Sequence, residues 1–450
     1  MNLLVHFPAT DDINIVKRIG LIKSVKYLFY IGSNTVKLEP NDFRIPIESI
    51  PYDQAGNGLY SLTDLPPLEG PLLDCMLPTE AIVIKQMDRL EFYNPIYTSY
   101  AARRALYLKH LQFWNHILVS RQIDLFIGSN IPHEVYDYVI FGLCKAHGID
   151  THFLFQSAIP STVHPLSDYT NFTPKLAAVY DRYKKLHLNS SAVDIKLPPK
   201  MQNEWNRQAK NTIPFYMEQT VRYHCNNKII NSEYESLAQN IDFKNPYIYF
   251  PLHYQPENTT SPLGGAFCDQ ITALKLISKN LPPPFKIVVK EHPMQNWIGR
   301  GQGFYKNILD QCENIIFAKK TTSSHMLINE AVCVATITGT AGWEALFRKK
   351  PVLLFGYIFY SLAPGVYNVK TNDECRKAII DIIEKKFIYD EKMLKIFLLS
   401  LESTSIAGVV DSSYRKESLI DPRVSEYNIV QHFERTIDEI RSKRYLFLLE

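Results

Sequence analysis

The sequence predicts an α/β protein built from two doubly wound parallel sheets. With 450 residues the chain is long for a single core, so two domains are the natural expectation. Strand-like apolar runs alternate with helical segments, as in parallel sheets covered by helices. This alternation occurs twice, before and after a polar, helical stretch at about residues 185–244. Together the three observations favour two similar α/β domains over one extended core.

The first series contains five predicted strands, which are short runs rich in aliphatic and aromatic residues. They are NLLVHF, KYLFYIG, AIVIKQ, DLFIGSN and THFLFQ. Between the last two, PHEVYDYVIFGLCKAHG has apolar residues at helical spacing and ends at Gly148, a typical helix stop. The segment YDQAGNGLY at 52–60 lacks the glycine spacing of a dinucleotide-binding turn, and we expect a mobile loop there.

The second series begins at NPYIYFPLHY and continues through FKIVVKEHP, NIIFAK, VCVATITGT and PVLLFG. The intervening segments FCDQITALKLISKNL, SSHMLINEA and AGWEALFRKK suit helices, and the chain is charged and helical after residue 371. We therefore expect an N-terminal α/β domain with a helical linker at 1–235 and a C-terminal α/β domain at 236–410. Final helices at 411–450 could cross back to the N-terminal domain.

Composition limits the partners and the compartment. The net charge of +3 and the absence of basic blocks or zinc-finger spacing argue against a nucleic-acid partner. The seven cysteines are dispersed without a CxxC pair, which predicts reduced thiols and no metal site. The start MNLLVHFPATDD lacks the basic region of a signal peptide, and no stretch approaches the ~20 apolar residues of a membrane span. We expect a cytoplasmic protein, at most peripheral to a membrane. Its basic and apolar end, RSKRYLFLLE, could touch an anionic membrane, but packing of the final helix against the other domain is the favoured interpretation.

The segment KIVVKEHPMQ ends a predicted strand with charged and aromatic side chains. In an open α/β sheet ligands bind beyond the carboxyl ends of strands, so these side chains could reach a substrate. His292 could donate a hydrogen bond to a departing phosphate, Lys290 could add positive charge, and Pro293 would stiffen the turn. The alternative is that His292 only caps the strand end by bonding to the backbone.

A strand-to-helix turn follows in VATITGTAGWEALFRKK. Its glycines could let backbone amides approach an anion at the helix N-terminus, or could simply allow tight packing. Glu344, in the first helical turn, could accept from a ribose hydroxyl or merely favour the helix dipole. Upstream, Ser324 is predicted to be a helix N-cap, with contact to a donor phosphate as the alternative. The candidate donor-binding residues of this region are Ser323, Ser324, Thr338, Gly339, Thr340, Gly342 and Glu344.

Two further polar clusters follow predicted strands. The loop LHYQPENTTSP contains Gln255, which suits orientation of a sugar because it is uncharged and bidentate, and Glu257, a carboxylate. In the first half, DLFIGSNIPHEVYDYV ends a strand with His133 and Glu134, either of which could be a base for an acceptor hydroxyl. The alternative there is structural, with Asn130 capping the helix and Glu134 satisfying its first turn.

The order of these blocks resembles the capsule polysaccharide biosynthesis family, which includes the bacterial β-Kdo transferases. The chain presents a QPE loop, then KEHP, then SSxxLI, then TGTxGWEAL, and finally KKPVLLFGYIFY, and the resemblance covers roughly residues 245–370. The family pairs an acid-bearing loop with an HP motif and later has a G-x-EAL turn and a PV strand. Its loop carries Asp where this chain has Glu257.

The resemblance implies a GT-B-like fold, two Rossmann-like domains with a cleft between them. It implies a glycosyltransferase that moves an ulosonic acid, such as Kdo or a nonulosonic acid, from its CMP-activated donor to a glycan or lipid-linked glycan acceptor. The family's HP histidine, which contacts the nucleotide phosphate, corresponds to His292. Glu257 could stabilise the oxocarbenium-like centre, attack it, or deprotonate the acceptor. No metal or other cofactor is expected.

Two other functions stay open. The same fold also serves UDP-sugar transferases and epimerases, which use a glycine turn and a helix glutamate. A noncatalytic glycan-binding assembly protein with a degenerate site is the third possibility. Binding of CMP rather than UDP separates the first two, and release of CMP from a CMP-sugar separates an enzyme from a binding protein.

Overall fold

The structure, a computed structural model, describes residues 1–35, 38, 42–90, 94–172, 174–188, 195–209, 228–295, 299–301 and 303–447. The chain divides into two compact units, one of Met1–Asp168 with Ser405–Glu450 and one of Tyr169–Thr404. Each unit contains one sheet covered by helices, so the predicted fold class, two doubly wound Rossmann-like domains, is confirmed.

The first unit begins with an alternation of strands and helices. Its elements are β1 (Asn2–Phe7), α1 (Ile13–Gly20), β2 (Tyr27–Gly32), β3 (Ile47–Pro51), α2 (Tyr52–Gly56), α3 (Gly70–Cys75), α4 (Leu77–Gln86), α5 (Tyr100–Ser120), β4 (Leu125–Gly128), α6 (Tyr136–His147), β5 (Asp150–Gln156) and β6 (Thr162–Leu166). Gly148 ends α6 in the left-handed conformation, as predicted.

Two predictions for this unit are wrong. AIVIKQ is not a strand but the last part of α4, which has a proline in its first turn and packs against α5 and α6. Burial of Val83 and Gln86 against those helices outweighs the β propensity of its branched residues. YDQAGNGLY is not a loop throughout, because α2 occupies its first five residues.

The second unit contains α7 (Pro174–Leu188), α8 (Pro199–Ala209), α9 (Lys228–Leu237), β7 (Tyr247–Pro251), α10 (Gln270–Asn280), β8 (Lys286–Lys290), α11 (Phe304–Gln311), β9 (Ile315–Phe317), α12 (Ser324–Glu330), β10 (Cys333–Thr336), α13 (Thr340–Phe347), β11 (Val352–Leu354), β12 (Val366–Asn368), α14 (Asn372–Ile383) and α15 (Glu391–Thr404). All five strands that the sequence predicts here are present. α7 and α8, which the sequence analysis placed in the N-terminal domain, lie in this unit because they pack against α15 and α13.

The sheet of the second unit is fully parallel, in the order β12-β11-β10-β7-β8-β9. From β7 the chain first moves outward to β8 and β9, then returns to the other side of β7 for β10. The strand order therefore reverses between β7 and β10, the point at which such sheets bind ligands beyond their carboxyl ends. The strand interiors, Ile248, Phe250, Ile287 and Val289 among them, are buried in one apolar core.

The chain returns to the first unit through β13 (Ile406–Ala407) and α16 (Pro422–Phe447). β13 joins the edge of the first sheet, whose order is β13-β6-β5-β4-β1-β2-β3, with antiparallel pairing only at β6. α16 packs against α1, and its Phe433 is buried in the core of this unit. No helix in the described ranges combines the length and apolar character that crossing a membrane requires.

Candidate functional site

Lys290, the last residue of β8, is a buried cation. The residue is 8% exposed, and its Nζ donates to Oγ of Ser324 at 2.9 Å. Burial lowers the pKa of Lys290 to about 8, so the side chain is still protonated at neutral pH. No carboxylate in the described part of the chain forms an ion pair with it. A buried charge without a counter-charge is costly, and an anionic ligand would compensate it.

His292 lies two residues beyond Lys290 and presents a neutral hydrogen-bond donor. Its Nδ1 accepts from the backbone N–H of Met294 at 3.3 Å, so the ring proton of the neutral form is on Nε2. The pKa of His292 is lowered to about 4, mainly by burial. The carboxylate of Glu291 opposes this shift, and the charges of Arg300, Lys290 and Lys320 contribute to it. At neutral pH this side chain can donate through Nε2 to a phosphate oxygen but adds no charge.

The helix α12 brings its first residues to the same strand end. Ser323, not Ser324, is the N-cap, since its Oγ accepts from the N–H of Met326 at 3.4 Å. The prediction that Ser324 caps this helix is therefore wrong. The hydroxyl of Ser324 instead accepts from Lys290 and lies 3.5 Å from Oη of Tyr249. This leaves Ser324 beside the unpaired cation, where the phosphate contact was the alternative interpretation.

In the turn after β10, two backbone N–H groups already have hydrogen-bond acceptors within the protein. Thr338 N–H donates to Nε2 of His253 at 3.3 Å, and Gly339 N–H donates to Oγ1 of Thr336 at 3.0 Å. A Cβ on Gly339 would lie 2.8 Å from that Oγ1, and one on Gly342 would lie 2.7 Å from Oη of Tyr360. These glycines thus permit close packing, and the N–H groups of Thr338 and Gly339 are already paired. Thr340, the first residue of α13, follows this turn.

Glu344 on α13 faces His325 on α12. Oε2 of Glu344 lies 3.5 Å from Nδ1 of His325, and Arg348 donates to that same Nδ1 at 3.0 Å. Burial raises the pKa of Glu344 to about 7, although the charges of Arg348 and Arg207 oppose the shift. Glu344 can therefore donate or accept a hydrogen bond near neutral pH, as recognition of a ribose hydroxyl would require.

The loop after β7 carries the exposed Glu257. Oγ1 of Thr259 donates to its Oε2 at 3.0 Å, and its backbone oxygen accepts from the N–H of Ser261 at 2.9 Å. The loop is tied to the β10 turn, because Oγ1 of Thr338 donates to the backbone oxygen of Thr259 at 2.6 Å. The tie fixes the loop that carries the carboxylate while leaving the carboxylate at the surface.

Gln255 has a different environment from the one predicted. Its Nε2 donates to the backbone oxygen of Cys268 at 2.8 Å, and its Oε1 accepts from Arg300 at 2.6 Å. Both ends of the amide are thus bonded within the protein, which supports the loop and leaves little for a sugar. Pro293 is half-buried in the turn that follows His292.

Arg300 and Glu291 form a buried ion pair that the sequence analysis did not identify. Both side chains are fully buried, and two parallel bonds of 2.8 Å join Nε to Oε2 and one terminal nitrogen to Oε1. Glu291 stands inside the KEHP motif, which was the available signal. Its arginine partner follows nine residues later in sequence that has no recognisable motif.

The two predicted residues of the first unit, His133 and Glu134, lie side by side. Nδ1 of His133 donates to the backbone oxygen of Ile131 at 2.6 Å, and its Nε2 lies 3.0 Å from Oε1 of Glu134. Burial opposes protonation of His133, but the charge of Glu134 and its hydrogen bond together outweigh burial and raise the pKa of His133. Burial alone would raise the pKa of Glu134, but His133, Arg89 and Tyr52 hold it well below its usual range.

Side chains from other elements complete this cluster. Oη of Tyr52 donates to Oε2 of Glu134 at 2.9 Å, and Arg89 contacts Oε1 at 3.3 Å. The carboxylate of Asp137 accepts from the backbone N–H groups of His133 and Glu134. The alternative in which Asn130 caps this helix is therefore wrong. As arranged, Glu134 is a weak base. The groups at Tyr52 and Arg89 carry no sequence signal, because they come from separate segments.

Within the described ranges, no group of three or more His, Cys, Asp or Glu side chains is placed to hold a metal ion. The chemistry that these residues offer is therefore a cationic, hydrogen-bonding surface for an anion at Lys290, Ser324 and His292. Glu344 and the exposed Glu257 lie on the adjacent elements α13 and the β7 loop.

Comparison with known structures returns distant similarities. The β-Kdo 2,7 transferase KpsC of Thermosulfurimonas dismutans matches over 96% of this chain and 99% of its own, at 11% identity and a TM-score of 0.36. UDP-GlcNAc 2-epimerase of Methanocaldococcus jannaschii matches over 90% and 99%, at 12% identity and a TM-score of 0.29. A glycosyltransferase of Rickettsia africae ESF-5 matches over 98% of both chains, at 11% identity and a TM-score of 0.28.

No curated protein sequence matches the chain. These TM-scores and sequence identities are too low to assign a family, so the assignment rests on the family model. The model described as capsule polysaccharide biosynthesis protein matches residues 170–396, half of the 450 residues. These residues include the strand ends that carry Lys290, His292, the β10 turn and the β7 loop. The chain belongs to the capsule polysaccharide biosynthesis family.

Proposed function

We propose that the protein is a glycosyltransferase that transfers an ulosonic acid, Kdo or a nonulosonic acid, from a CMP-activated donor to a glycan or lipid-linked glycan. The observation that carries the proposal is the buried, unpaired cation of Lys290 beside the neutral donor of His292. A nucleotide phosphate supplies the negative charge that Lys290 lacks and accepts from Nε2 of His292. Family membership supports the role in capsule synthesis.

In the proposed step, the acceptor hydroxyl oxygen bonds to the anomeric carbon while the bond from that carbon to the phosphate oxygen breaks. CMP leaves with the electron pair, stabilised by Lys290 and His292. The hydroxyl proton passes to a carboxylate, for which Glu257 is the exposed candidate on the β7 loop. In the first unit, His133 and Glu134 are proposed to bind an acceptor hydroxyl, since an imidazole and a carboxylate lie side by side there.

The nucleotide is the first point to test. We expect the protein to bind CMP at least about tenfold more tightly than UDP in titration calorimetry. Incubation with CMP-Kdo and with CMP-nonulosonic acids should then release CMP when a glycan acceptor is present. Preference for UDP would replace the donor with a UDP-sugar, and tight CMP binding without release from any CMP-sugar would favour a noncatalytic role.

Glu257 is tested by two substitutions that differ in charge and length. Glu257→Gln removes the carboxylate and should lower kcat about 100-fold, because general-base or electrostatic help is lost. Glu257→Asp keeps the carboxylate, and the related β-Kdo transferases are expected to carry Asp in this loop, so most of the activity should remain. Rates of CMP release measure both, and equal rates for Glu257→Gln and the natural protein would remove Glu257 from the mechanism.

A further inference from the structure

The guanidinium of Arg300 bonds to three residues in two segments of the second unit. Besides its two bonds to Glu291, it donates to Oε1 of Gln255 at 2.6 Å and to the backbone oxygen of His253 at 2.5 Å. The side chain is completely buried, so these bonds form without competition from water. One planar group thus joins the strand end of β8 to the loop that follows β7.

Two of the bonded partners, Glu291 and Gln255, lie close in sequence to residues of the proposed reaction. Glu291 immediately precedes His292, and its Oε1 also accepts from the backbone N–H of His292 at 2.6 Å. Gln255 stands two residues before Glu257, and its own backbone N–H and C=O are bonded by the side chain of Gln295 at 2.8 and 2.9 Å. The ion pair therefore connects the phosphate-facing histidine with the loop of the carboxylate.

Stability alone does not account for this pair. Removing two charges from water costs about as much as their attraction returns, and an apolar pair of similar volume is often equally stable. The ion pair instead contributes a defined geometry, because the planar guanidinium fixes the positions of all the groups that accept its hydrogen bonds. Tyr305 strengthens the constraint by donating to Oε2 of Glu291 at 2.6 Å.

We propose that Arg300 is a positioning residue that holds the Glu257 loop in register with His292. The kinetic consequences of this role rest on the proposed function. The physical coupling of the two segments is independent of it. Arg300 touches neither donor nor acceptor in this scheme. It acts through Gln255 and the His253 carbonyl on one side and through Glu291 on the other.

Arg300→Lys separates the two connections. Lysine keeps the ion pair with Glu291, and with it the support of His292, but a single ammonium cannot also reach Gln255 and the His253 carbonyl in the same geometry. We expect kcat to fall about 100-fold, as displacement of a reacting group by about 1 Å would produce, with the donor KM within about threefold of normal. Arg121→Lys is the matched control, because Arg121 binds Glu48 through the same two-bond geometry in the first unit.

A double variant, Glu291→Leu with Arg300→Met, distinguishes positioning from stability. It removes both charges and so leaves no unpaired charge in the core, and the thermal midpoint should fall less than in Arg300→Met alone while kcat remains low. Normal kcat in a stable double variant would overturn the proposal. If the double variant does not fold, Arg300→Lys is the deciding experiment. An unchanged kcat with a raised donor KM in Arg300→Lys would overturn the proposal.

Hydrogen exchange tests the coupling without any substrate. The amides of His253 and Gln255 donate to the side chains of Gln270 and Gln295, at 2.7 and 2.8 Å, and should be protected. Arg300→Lys should speed exchange at these amides at least about tenfold and leave the β8 strand protected. Unchanged exchange contradicts the positioning role, whereas failure of the natural protein to use CMP-sugars contradicts only the proposed function.

Discussion

Lys290→Met is expected to stabilise the protein while reducing its affinity for CMP about 1,000-fold, since a charge-assisted contact to phosphate is lost. Burial lowers the pKa of Lys290 from 10.5 to about 8, so keeping the side chain charged in the folded state costs about 3 kcal/mol at neutral pH. Methionine has a similar length and no charge. Most of that cost should therefore appear as a higher thermal midpoint, by several degrees.

The gain should depend on pH in a definite direction. Because the folded-state pKa lies below the unfolded value, the destabilisation is complete below about pH 8 and disappears as the pH rises towards the unfolded pKa. The difference in midpoint between Lys290→Met and the natural protein should shrink accordingly. CMP binding by the natural protein should weaken above about pH 8, where Lys290 loses its proton.

Lys286→Met is the matched control for this experiment. Lys286 begins the same strand, β8, and is exposed, so its substitution should change neither the thermal midpoint nor CMP binding appreciably. Thermal melts at several pH values and titration calorimetry measure the two effects. A Lys290→Met protein that is less stable, or that binds CMP normally, would show that Lys290 is a structural residue.

His292→Ala should lower kcat/KM about 1,000-fold without unfolding the protein, because one preorganised donor to the departing phosphate is removed. The half-buried side chain has one hydrogen bond from the backbone of Met294, so its loss should cost little stability. His292→Gln keeps a neutral N–H donor near the position of Nε2. It should recover part of the activity.

The pH profile distinguishes a neutral donor from a cation at His292. Burial lowers its pKa to about 4, so its protonation state is constant between about pH 6 and about pH 8. Activity should show no loss with a midpoint near the ordinary histidine value of about 6.5. Rates of CMP release across this range measure it. Turnover retained by His292→Ala would remove the donor phosphate site from the proposal.

The sequence by itself predicted the two α/β units and the strand ends where chemistry was expected. Runs such as KIVVK and CVAT are short and rich in branched apolar residues, which is typical of strands buried in a parallel sheet. The residues that follow them were therefore expected at the carboxyl edge of the sheet. The order of KEHP, TGTAGWEAL and the QPE loop indicated the family that the family model confirms. AIVIKQ was misassigned because its helical state depends on α5 and α6.

Tertiary structure alone decided what each polar residue at those edges does. Whether Lys290 has a counter-charge, whether Gln255 is free, and which serine caps α12 depend on atoms contributed by other segments. Arg300 shows the reason most plainly, because its four bonds reach residues 9 to 47 positions away and no local pattern encodes them. Spacing along the chain determines where a side chain can lie, but its charge state and its partners are set by contacts made only in the folded protein.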